Sequence, residues 1–169
     1  MTWQNEMSLI VRHLINDLDS SSYTFTHDRV EESILVATQL MLNEIDFEQT
    51  YTVDVDSSSL SPDPTTLAAK DDPFITLVSL KTAHLLLGSE IKTNSLNAIS
   101  LRDGPSAIDL RGIVQGLKIL FEDIGARYDH AKLAYQMGTS AGQAKLSPYS
   151  PGSDAVSRTN LSSRLGWFE

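Results

Sequence analysis

Residues 138–142, Gly-Thr-Ser-Ala-Gly, have the G-x-S-x-G spacing that carries the nucleophilic serine of many hydrolases. That chemistry needs a sharp strand-to-helix turn lifting the hydroxyl above a parallel sheet, with an acid and then a histidine later in the chain. Asp154 and Glu169 follow Ser140, but the last histidine is His130, so the order fails. Gly138 is expected instead to terminate a helix, leaving Ser140 as a linker residue. The four histidines, His13, His27, His84 and His130, form no H-x-H or H-x-x-x-H pair. His84 falls on an apolar helical face, where a structural role is expected. Asp54-Val55-Asp56 opens like a calcium loop, but its sixth position is Ser59 and its twelfth Thr65, where Gly and Glu are required. The paired acids Glu31-Glu32 and Asp71-Asp72 stand at expected helix starts, where they complement the positive end of the helix. There is no P-loop and no dinucleotide fingerprint. The absence of Cys removes thiolate catalysis, disulfides and cysteine metal sites together. These residues describe a protein that is not an enzyme and holds no cofactor or metal.

The elements that carry them fit one domain. The chain has 169 residues, 41% of them hydrophobic, enough for a single proper core and too few for two. Twenty-two acids against 13 bases leave a net charge of −9. Lys and Arg are not clustered, so general attraction to phosphates is not expected, and duplex DNA could slide past without sticking. The first residues lack a basic n-region, and no apolar run approaches the roughly 18–20 residues of a membrane span. A soluble protein without a membrane partner is the expectation.

Apolar residues at three- and four-residue steps predict a first helix from Gln4 to Leu18 and a second, capped by Thr26, to about Glu44. Tyr51, Val53 and Val55 alternate with polar residues, predicting a strand over 50–55, and Ile99 with Leu101 suggests another over 98–102. These two are expected to pair as a small ribbon, with the turn-rich 57–66 as connector. A third helix is expected from the Asp72-Pro73 cap to about Glu90. Pro105, lacking an N–H, argues against a hairpin at 102–107, and Ser106 resembles a cap for the fourth helix. That helix is the clearest element: Leu110, Ile113, Leu117, Leu120, Ile124, Tyr128, Ala131 and Tyr135 step by three or four throughout. Gly112 and Gly116 lie on one of its faces, one turn apart, where another backbone could approach. Local packing within the monomer and a subunit contact both account for them. The fold class is mainly α: about four helices with a two-strand ribbon over residues 1–137.

After Met137 the periodicity stops. Residues 138–169 hold four glycines and two prolines without a sustained period, the composition of an extended C-terminal arm. Pro148, Tyr149 and Pro151, and the closing Trp167-Phe168, are its candidate anchors on a partner. Trp167 folding back onto its own domain is the other reading.

Five stretches, MTWQNEMSLIVRHLINDLD, YTVDVDSSSLSPDPT, DDPFITLVSLKTAHLLLGSEIKT, DGPSAIDLRGIVQGLKILFED and LSPYSPGS, together resemble the neck, or head-completion, proteins of T4-like tailed phages, marine cyanophages especially. The likeness reaches to about residue 153. It implies a helical adaptor of the head–tail connector kind, a homo-oligomeric ring matching a twelvefold portal, and an arm that clasps neighbours. The implied partners are the portal protein and other neck or tail-completion proteins, with DNA passing through unbound. The implied location is the virion neck, after assembly in the host cytoplasm. A non-viral helical scaffold or regulatory module is the alternative reading, and a hydrolase using Ser140 a remote one. With no strongly hydrophobic exposed stripe evident and −9 per subunit, the isolated protein is expected to be monomeric or weakly associating, forming a ring only on a portal.

Overall fold

The computed structural model describes residues 2–97, 102–103, 106–107 and 111–139. Its contacts divide the chain into a unit of Met1–Met137 and a second of Gly138–Glu169. Of the second, only the first two residues are described, and these complete a helix. The architecture is mainly helical, with four helices and two small antiparallel hairpins among the described residues.

Helix α1 (Trp3–Ile15) buries Trp3, Met7 and Val11 along one stripe. It stops three residues short of the expected Leu18 because Asn16 takes the left-handed conformation, φ 58°. The Asn16 and Asp17 amides then close back on the carbonyls of His13 and Arg12. Arg12 is buried and pairs with Asp17 at 2.7 Å, and its second nitrogen donates to the Phe25 carbonyl at 3.1 Å. Asp17 in turn accepts from the amides of Thr24 and Phe25. A buried ion pair with this many hydrogen bonds fixes the path of the Ser-rich loop into the next helix. Helix α2 (His27–Met41) starts where expected, the Thr26 hydroxyl accepting from Arg29 N at 3.4 Å. It ends at Met41, before Glu44, and buries Val30, Ile34, Leu35, Ala37 and Met41.

The ribbon exists, with a different partner. Strand β1 (Thr52–Asp54) pairs with β2 (Ser59–Ser61), inside the stretch expected to be a connector, with Val53 opposite Leu60. Asp54 makes this turn: its carboxylate accepts from the amides of Asp56 and Ser57 at 3.0 and 3.2 Å. That oxygen is thereby committed to its own backbone, which explains the aspartates that began like a calcium loop. Of the second strand expected over 98–102, only Arg102 is among the described residues, and it pairs with Ala107 and not with β1. The hairpin that Pro105 argued against is present. Strand β3 (Arg102–Asp103) pairs with β4 (Ser106–Ala107), with Asp103 opposite Ser106, so neither strand contains the proline whose missing N–H argued against a ladder. Ser106 is therefore a strand residue and not a helix cap.

Helix α3 (Asp72–Asn97) is capped one residue earlier than expected and runs seven residues further. Asp71, not Asp72, accepts from Phe74 N at 3.1 Å, while its other oxygen takes the Tyr51 hydroxyl at 2.7 Å. Asp72–Ser95 is long and apolar enough to cross a membrane by length and composition, its most apolar 18-residue window having mean hydropathy 1.3, contrary to the expectation that no run qualifies. Over half of that window is buried within the protein, because α1, α2 and the fourth helix pack around it. It is the central post of the fold. Helix α4 (Arg111–Thr139) has 29 residues and spans about 44 Å. Gly138 lies within it, without a left-handed φ, so this glycine does not end the helix.

Candidate functional site

Among the described residues, helix α4 has one face engaged and one face open, and the contrast defines the candidate site. The engaged face carries the residues whose spacing marked it. Ile124 and Tyr128 are buried, and Leu117, Leu120, Phe121, Ala131 and Tyr135 pack partly against the core. Two close approaches hold α4 on α3. A Cβ at Gly88 would meet Phe121 Cε2 at 3.2 Å, and one at Gly125 would meet His84 Cε1 at 2.9 Å. Between them the His84 and Phe121 rings stack at 3.9 Å. Burial lowers the His84 pKa, Lys81 lowers it further, and its bond to the Phe121 carbonyl offsets part of this. His84 is thus a neutral packing residue, the structural role its apolar face suggested.

Glu44, just past α2, joins three helices. It accepts from Lys81 of α3 at 2.9 Å, and from Lys132 and the Tyr128 hydroxyl of α4 at 2.9 and 2.8 Å. Lys132 and then Lys81 hold its carboxyl down at about 2, outweighing desolvation. Lys81 also lies 4.7 Å over the Tyr128 ring. Near the end of α4, Tyr135 packs on Phe47, which is edge-on to Phe74. Phe74 stacks on Tyr51 at 3.8 Å. Burial, then Asp71, raises the Tyr51 pKa, so this hydroxyl stays a donor. Beside it, Pro73, Thr76, Leu77, Ala131, Ala134 and Tyr135 line an apolar cleft of about 420 Å³ between α3 and α4.

The opposite face of α4 reads Gly116, Ile119, Asp123, Ala126, His130, Leu133, Met137, at steps of three and four. Ile119 is 64% exposed, Leu133 52% and Met137 68%. Along the face these apolar side chains are separated by Asp123, Ala126 and His130. Nothing lies within 4 Å of a Cβ built on Gly116, so packing within the described chain does not explain that glycine. Close packing uses Gly88 and Gly125 instead. Gly112 lies one turn before Gly116 in α4, and its surroundings are outside the described residues. So are Ser140 and the expected anchors Pro148, Tyr149, Pro151, Trp167 and Phe168. The reading of the sequence missed Ile119 and Leu133. The signal was there: once the core stripe is assigned, the leftover apolar positions 112, 119, 126 and 133 fall seven apart.

Among the described residues this face of α4 is a long surface of mixed apolar and charged side chains. Among the described residues no group of three or more His, Asp or Glu could hold a metal. The helix running into Gly138 also differs from the strand that a serine nucleophile's turn requires. Compared with protein-family models, curated proteins and solved structures, the chain matches none of them.

Proposed function

We propose that this chain is a structural component of a tailed-phage neck, an adaptor that packs side by side into a ring joining the portal vertex to the tail. The observation that supports the reading is the open face of α4: a helix of about 44 Å, clamped along one side, presenting Gly116, Ile119, Ala126 and Leu133 on the other. Singly exposed apolar residues are ordinary, but small and apolar residues recurring at seven-residue steps along a long helix, with Asp123 and His130 between them, suit a protein contact. In this reading the residues after Thr139 form the arm, with Tyr149 and Trp167-Phe168 anchoring on the portal or an adjacent subunit. The net charge of −9 suits a channel wall from which DNA slides without binding.

The deciding experiment mixes the purified chain with a cyanophage portal ring and follows co-elution by size exclusion, then images the product. A ring of this protein beneath the portal supports the reading. Failure to co-elute at any salt concentration sinks it and leaves the helical scaffold module.

A further inference from the structure

We infer that the open face of α4 binds the same face of a second copy in antiparallel orientation, giving a two-fold dimer of the free protein centred near Ala126. This goes beyond the neck reading and does not depend on it. Ile119 and Leu133, both more than half exposed, lie seven residues to either side of Ala126. Antiparallel pairing therefore sets Ile119 of one copy near Leu133 of the other and Ala126 near itself, while Gly116, with open space beside it, leaves room for the second copy's helix.

Charge points the same way. Asp123 lies in the middle of the face, half-exposed, in an ion pair with Arg127 at 2.9 Å. A parallel pair presses Asp123 against Asp123. An antiparallel pair places it beside the second copy's Arg127 and His130, and opposes the two helix dipoles favourably. The other edge is less favourable: Glu122, bridged to Lys118 at 3.7 Å, comes beside the second copy's Asp129. That edge is open to solvent, so salt should screen its repulsion. One helix face is a small interface, and the dimer is accordingly weak. A two-fold contact of this kind closes on itself and cannot propagate round a ring. Were the chain also to pack side by side through this face, the dimer would have to open first.

The chain has no cysteine, so introduced ones report cleanly. Ile119→Cys and Leu133→Cys are prepared as single variants of the full chain, checked by circular dichroism, and oxidised separately and mixed. Leu40→Cys, exposed on α2, serves as the collision control. The mixture should form the 119–133 cross-link well above either single variant alone, and more so at high salt. Ile119→Lys combined with Leu133→Lys should abolish the concentration-dependent rise in sedimentation coefficient. Predominant self-linking of Ile119→Cys would show a parallel pair and overturn the inference. Cross-linking no better than the α2 control would overturn it too. Both measurements use the free chain without portal, so they fail or succeed independently of the neck.

Discussion

Glu44 is one carboxylate serving two lysines and a tyrosine, and it should govern how acid loosens the fold. Its pKa falls from 4.5 to about 2 on folding. The lowered value means the linked stability is complete above 4.5 and is lost as pH falls from 4.5 toward 2. Converting the whole shift would overstate its worth, since the side chain is 32% exposed and water screens it. Glu44→Gln is expected to lose about 1 kcal/mol at pH 7. Urea unfolding should show the variant and the parent converging near pH 2. His84 acts earlier. Its folded pKa lies below 6.5, chiefly through burial, so the unfolded chain takes up the proton first and stability begins to fall below 6.5. His84→Phe should remove that first step and leave the Glu44 step in place. A parent whose stability is flat from pH 6.5 to 4.5 would contradict this.

At the scale of elements, the glycines of α4 separate by what surrounds them. Gly116→Ala adds a methyl into open space and gains helix propensity, an expected stabilisation of about 0.5–1 kcal/mol. Gly125→Ala pushes on a ring already stacked against Phe121, and should cost about 1–3 kcal/mol despite the same propensity gain. Thermal melts of the two variants moving in the same direction would refute the assignment. The helices and their core stripes were legible because burial imposes a three-to-four step that nothing else imitates. The residues from Leu117 to Tyr135 read as core are in the core or packed against it. Of the hairpins only β1, inside the strand expected over 50–55, was legible; its partner and the second hairpin were not. A three-residue strand such as Ser59–Ser61 has too few alternations to show a period, and its pairing is set by the Asp54 turn, a side-chain-to-backbone effect. The site was half legible: Gly116 stood out by cost, whereas Ile119 and Leu133 looked like ordinary helix residues until the core face was known.

For the whole molecule, two units of contact predict two separable roles. Truncation after Thr139 should leave the far-ultraviolet dichroism per helical residue and the melting temperature of the body nearly unchanged. In the proposed function it should also abolish attachment to the portal. A truncated chain that still joins heads to tails would show that the arm is dispensable. The same truncation has a spectroscopic consequence. Of the two tryptophans, Trp167 is removed and Trp3 remains, only 4% exposed, with its backbone amide on Asp63 at 3.2 Å. Its emission then becomes a single-site gauge of whether the first turn of α1 is seated. Opening of α4 at His84 would pass unseen by that fluorophore while losing ellipticity, so the two signals together order the steps by which the body comes apart.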